Sequence, residues 1–141
     1  MSIPSPHPGM VIRYSYLWKN ESERGKEEGL KNRPCAIVLT LQNDEQGDEV
    51  MVVPITHTEP ELEDSIEIPG VIKSKLGLDG DRSWIILSEL NEFYWPGPDL
   101  RPTDNGTVSY GTLPVNFFKQ VKLKLLNLVN NKKLKTVKRT E

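Results

Sequence analysis

The 141 residues contain a single cysteine, Cys35, and two histidines, His7 and His57. A lone thiol excludes an intrachain disulfide, and three such ligands scattered along the chain are too few for a zinc-type cluster, so no structural metal is expected. Long hydrophobic runs are also missing. The longest uncharged apolar stretch is Cys35 to Leu41, far short of the ~20 residues that cross a bilayer. The opening Met1 to Pro8 lacks the apolar core of a signal peptide, so a cytoplasmic protein that uses no membrane is expected. The usual catalytic signatures are absent as well: G-x-S-x-G, a P-loop, a dinucleotide fingerprint, C-x-x-C and H-E-x-x-H. No cofactor is expected on that basis.

What is present fits one compact domain, with 36% hydrophobic and 27% charged residues. The net charge of -2 conceals an asymmetry. Residues 119–141 carry eight basic and one acidic side chain, whereas residues 1–118 carry ten basic and nineteen acidic. A basic end on an acidic body is either the footprint of a polyanion partner or the wet face of a helix.

Residues 1–9, with Pro4, Pro6 and Pro8, are expected to form an extended, weakly ordered arm. A domain over 10–130 and a basic, fraying tail over 131–141 follow. Ile12, Tyr14, Tyr16 and Trp18 recur with period two, which predicts a first strand over Met10 to Trp18. Residues 19–32 are rich in Glu, Lys, Arg and Gly and have almost nothing to bury. Connections of that length tend to be functional or mobile. Cys35 to Leu41 and Val50 to Ile55 read as central strands buried on both faces, with Pro54 expected at an edge or strand end. Ser65 to Ile68 predicts a short strand, Pro69 to Gly77 a short helix, Ser83 to Leu90 an interior strand and Asn91 to Pro102 a rigid loop. Thr107 to Tyr110 suits a last short strand. From Pro114, Phe117, Phe118, Val121, Leu125, Leu128 and Val129 recur at helical spacing. The sum is a mainly β fold, a small bent antiparallel sheet or barrel with a short helix and a C-terminal α-helix.

Three residues could carry chemistry. Arg33 opens one central strand, and Thr56 and His57 close the next. An antiparallel hairpin sets the start of one strand beside the end of its partner, so Arg33 and Thr56 are expected at one rim. A guanidinium fork and a hydroxyl together suit a phosphodiester and its developing charge. His57 is a candidate proton carrier, although strand alternation past Thr56 would turn it to the opposite face. Each also has a plainer role: surface or capping contacts for Arg33, strand-end structure for Thr56, a hydrogen-bonded surface position for His57. Glu27, Glu28 and Glu89 are further acid–base candidates or simply solvated charges. Phe93, Tyr94, Trp84 and Trp95 could stack on bases or pack as a lid.

At these residues the sequence resembles the PemK/MazF family of toxin endoribonucleases. The shared elements are Pro8-Gly9-Met10-Val11-Ile12 at the first strand, Asn32-Arg33-Pro34 leading into Cys35 to Leu39, and Val52-Val53-Pro54-Ile55-Thr56. The match spans residues 8–57 and continues more loosely over Ser83 to Asn91. Lys31 stands where the family often has Gly two residues before the Arg, and Glu28 matches a family Glu or Gln.

The resemblance implies an SH3-like curved β-barrel with a terminal helix, a homodimer and a partner antitoxin. It also implies metal-independent cleavage of single-stranded RNA by attack of the 2'-hydroxyl. Arg33 would stabilise the phosphorane and protonate the leaving oxygen, and Thr56 would anchor the phosphate. A non-catalytic SH3-like module binding protein or RNA is the alternative, since fold alone does not secure activity. A DNA-binding regulator lacks any helix-turn-helix pattern.

Overall fold

The computed structural model describes residues 3–20, 31–42, 45 and 47–139. In chain order these form β1 (Met10–Tyr14), β2 (Arg33–Leu41), β3 (Glu49–Thr56), a 3-10 turn (Leu62–Asp64) and β4 (Ser65–Glu67). Helix α1 (Gly70–Lys75), β5 (Trp84–Ile86), β6 (Glu89–Tyr94), β7 (Ser109–Thr112), helix α2 (Val115–Asn130) and β8 (Lys135–Lys138) complete them. The eight strands pair in the order β4-β5-β3-β2-β1-β7, with β6 alongside β3 and β8 alongside β6. All pairings are antiparallel except β6 with β8. Among the described residues β4 and β7 do not pair with each other, so the sheet is not closed into a barrel.

The apolar runs of β2 and β3 follow from cover on both faces, and β1, read from its alternation as a strand with one buried side, is buried on both sides as well. Val11, Ala36, Val53 and Ile55 point to one core, where Ile72 of α1, its C-cap Leu76, and Phe117, Val121 and Leu128 of α2 cover them. Their neighbours Ile12, Cys35, Ile37 and Val52 alternate to a second core with Tyr14, Tyr16 and Phe93. Each fully buried Val, Leu, Ile or Phe among them contributes roughly 1.5–3 kcal/mol. Burial in the second core also pushes the Cys35 thiol well above its ordinary pKa, which leaves it an inert packing group.

Several sequence expectations change in three dimensions. Pro54 lies inside β3, not at an edge, and the reason is a change of neighbour. Residues Glu49 to Val52 pair with β6, whereas Ile55 and Thr56 pair with β5. Pro54 falls between the two, where its missing N–H leaves no gap in either ladder. The first strand stops at Tyr14, yet the chain beyond it stays buried through Leu17. There the Asn91 amide stands in for a strand partner, accepting from the Leu17 N–H (2.9 Å) and donating to its carbonyl (2.8 Å).

The single strand expected over Ser83 to Leu90 is two, β5 and β6, and β6 continues into the stretch expected to be a loop. Phe93 explains the continuation, because it stacks on Tyr14 at a centroid distance of 4.8 Å in the second core. The C-terminal residues, expected to fray, add strand β8 beside β6. Its register sets Lys135 next to Glu89 and Lys138 next to Glu92, opposite charges along the ladder. The opening arm has no regular structure over residues 3–8 but is tethered. The Trp95 indole donates to the Pro4 carbonyl (3.0 Å), and His7 Nε2 lies 2.8 Å from Thr112 Oγ1.

Candidate active site

Arg33 is the first residue of β2 and lies opposite Tyr14 of β1. Its guanidinium sits 5.0 Å from the centre of the Trp18 ring, a cation–π contact that holds the side chain in place. Its Nε is buried and has no hydrogen-bond partner among the described residues. Thr56 is the last residue of β3. The register of β2 with β3, Cys35 opposite Pro54, brings Arg33 and Thr56 to the same end of the sheet. Thr56 Oγ1 accepts the Thr58 N–H (3.2 Å), which leaves its own hydroxyl proton to donate outward.

That same turn corrects the expected orientation of His57. Strand geometry ends at Thr56, so the alternation that would have sent His57 to the other face no longer applies. Arg33, Thr56 and His57 line one pocket of about 110 Å³, together with Lys73, Asp79 and Ser83. Lys31 also reaches its wall.

The last three carried no signal in the sequence. His57 Nε2 meets Asp79 at 2.8 Å from Oδ2 and 3.1 Å from Oδ1. Asp79 Oδ1 also accepts from Lys73 Nζ (2.8 Å), which in turn donates to Ser83 Oγ (2.7 Å) and to the Asp81 carbonyl. Lys73 is only 4% exposed, although it lies on a two-turn helix whose other lysine faces water. In the sequence Lys73 and Lys75 look alike. The Leu78 to Arg82 turn reads merely as acidic, so neither half of the pair advertises the other.

The Lys73 ammonium, helped by His57 and the Asp81 N–H, holds the Asp79 carboxyl below the ordinary carboxylate range. A carboxylate depressed in the folded state stabilises it above the unfolded pKa, near 3.8. That contribution disappears as pH falls through the lower folded value. The gap in urea midpoint between wild type and Asp79→Asn is therefore expected to be present at pH ~5 and to narrow by pH ~3. His57, Asp79 and Asp81 also bring three ligand atoms within 4.8 Å of one another. Lys73 brings a positive charge to that cluster, bonded to the Asp79 carboxylate and to the Asp81 backbone carbonyl.

The other candidates lie elsewhere. Glu89 accepts the Tyr16 hydroxyl (3.1 Å) and the Lys19 N–H (3.0 Å) and is not part of the pocket lining. Phe93 belongs to the second core and Trp95 stacks against it at 6.2 Å, so both pack the interior. Trp84 is buried beneath Arg82, with 5.0 Å between the guanidinium and the ring centre. Tyr94 is half-buried at the end of β6. Glu27 and Glu28 lie outside the described residues, as do residues 21–30 of the long connection.

No family model and no curated protein matches the sequence. Among solved structures, the chain is similar to an endoribonuclease in complex with its cognate antitoxin from mycobacterial species. The TM-score is 0.56 at 12% identity, and the similarity covers 89% of this chain and 96% of that one. The mainly β architecture with a C-terminal helix, expected from the pattern of the sequence, is thus the fold of a solved endoribonuclease.

Proposed function

We propose that the chain is the toxin of a toxin–antitoxin pair, a cytoplasmic ribonuclease that cleaves single-stranded RNA without a metal ion and is restrained by a partner antitoxin. The observation that carries the reading is the convergence of Arg33, Thr56 and His57 on one pocket at the rim of the sheet. The similarity in fold to an endoribonuclease solved with its antitoxin supports it.

The chemistry follows from the groups. The scissile phosphate docks between the Arg33 fork and the Thr56 hydroxyl. A base takes the proton of the neighbouring 2'-hydroxyl, whose oxygen attacks phosphorus. The P–O5' bond then breaks, and the departing oxygen keeps its electron pair and takes up a proton from water. The products are a cyclic phosphate and a 5'-hydroxyl. Arg33 stabilises the charge that grows on the phosphorane oxygens, where fixed donors contribute most. The acidic body is unhelpful for RNA binding, so affinity rests on local cations such as Lys31 and Arg33 and on the basic C-terminal residues. Two copies of the chain would complete the RNA groove, as the family resemblance implies.

The test is incubation of the purified protein with mixed-sequence single-stranded RNA in excess EDTA, followed by mapping of the fragment ends. Discrete cuts bearing cyclic-phosphate and 5'-hydroxyl ends are expected. RNA left intact by the folded protein would overturn the reading in favour of a binding module.

A further inference from the structure

We propose that Asp79, anchored by the buried Lys73, fixes His57 with Nδ1 as its free basic nitrogen, so that Lys73, Asp79 and His57 form a positioning chain for proton transfer at the Arg33 and Thr56 pocket. The inference rests on the ribonuclease reading and deepens it by naming the base and the residues that orient it.

A neutral imidazole has one N–H and one lone pair, and which nitrogen carries the proton is set by the hydrogen bond that the other atoms impose. Both carboxylate oxygens of Asp79 approach the same ring nitrogen, Nε2, at 2.8 and 3.1 Å. A carboxylate only accepts, so Nε2 carries the proton and Nδ1 keeps the lone pair. The ring is thereby prepared to take a proton before any substrate arrives.

The carboxylate is itself held from two further directions. Asp79 Oδ1 accepts from Lys73 Nζ at 2.8 Å and from the Asp81 N–H at 3.2 Å. Lys73 has three N–H donors, and all three are used: Asp79, the Asp81 carbonyl and Ser83 Oγ. Burying an ammonium is costly unless it is fully paired, and this one is. The chain therefore ties α1, the turn after it and the entry to β5 to the end of β3, where Thr56 and His57 sit. The charged groups near His57 are Asp79 and Asp81 of its cluster and Lys73, Arg33 and Lys31 of the same pocket lining. Asp79 touches no reacting atom on this account; it is a positioning residue that acts through His57.

The experiment compares full-length wild type, Asp79→Asn, His57→Asn and the double variant, by RNA cleavage kinetics and by heteronuclear NMR of the His57 ring at alkaline pH. The side-chain amide of the Asp79→Asn variant keeps an oxygen that can still accept from Lys73 Nζ, and thermal unfolding verifies that the variant remains folded at the assay temperature despite the lost ion pair. Wild type is expected to show the Nε2–H tautomer alone and Asp79→Asn a mixture. Cleavage by Asp79→Asn should fall about tenfold or more in kcat with KM little changed, and the substitution should add nothing in the His57→Asn background. An unchanged tautomer in Asp79→Asn, or equal slowing of wild type and His57→Asn by that substitution, would overturn the proposal. If wild type leaves RNA uncut, the ribonuclease reading falls, and the tautomer alone decides whether Asp79 positions His57.

Discussion

Replacing Arg33 by alanine is expected to slow RNA cleavage by about 100- to 1,000-fold while the protein stays folded. The size of the loss follows from the role. A donor aimed at charge that develops in the transition state typically contributes a factor of about 100–1,000 in rate. The small stability cost follows from the contacts. The guanidinium lies over Trp18 at 5.0 Å, and its Nε has no hydrogen-bond partner among the described residues. Alanine therefore removes one cation–π contact, about 0.5–1 kcal/mol, and breaks no buried ion pair. Arg33→Lys should fall between the two, because an ammonium keeps the charge but loses the planar fork that grips two phosphate oxygens. Single-turnover cleavage, with urea unfolding as the check on fold, measures both quantities. Cleavage at the wild-type rate by Arg33→Ala would reject the assignment, and growth arrest on expression should disappear with the activity.

Arg139→Ala is expected to have the largest effect on stability, about 3–5 kcal/mol, against a total of only about 5–15 kcal/mol for a typical domain. Arg139 is 7% exposed and follows β8. Its Nη2 lies 3.0 Å from Asp99 Oδ1, and its Nη1 donates to the Ser15 carbonyl (2.7 Å) and to Asn91 Oδ1 (3.0 Å). The guanidinium carbon sits 5.4 Å from the centre of the Tyr14 ring. Deleting the guanidinium removes the ion-pair partner of a buried carboxylate, Asp99, and breaking a buried pair from one side costs more than the pair itself contributed. Arg139→Ala with Asp99→Ala should accordingly be less destabilised than Arg139→Ala alone. Urea midpoints at constant slope read the comparison. A midpoint unchanged by Arg139→Ala would show that the network carries little stability.

These two arginines mark how far the sequence reaches. Arg33 was legible because hairpin geometry is local: an apolar run opening with Arg-Pro and a second closing with Ile-Thr pair antiparallel, which sets their ends together. Arg139 was not, since nothing in a run of lysines distinguishes a residue that ends up buried after a parallel strand. Helix α2 was equally readable from its spacing. Phe117, Val121 and Leu128 are buried as the period required, whereas Val129 remains exposed at the end.

By itself the amino-acid sequence determined the mainly β architecture, the double-sided burial of its central strands, the terminal helix and the meeting of Arg33 with Thr56. Those follow from alternation and spacing, which act between residues near in the chain. Only the tertiary structure decided that β5 and β6 part at Leu87, that His57 lines the same pocket as Thr56, that Lys73 is buried against Asp79, and that the C-terminal residues close over Asn91. A side chain's charge has the same letter whether it is solvated or buried, and its partner is chosen by packing between segments that local periodicity does not connect.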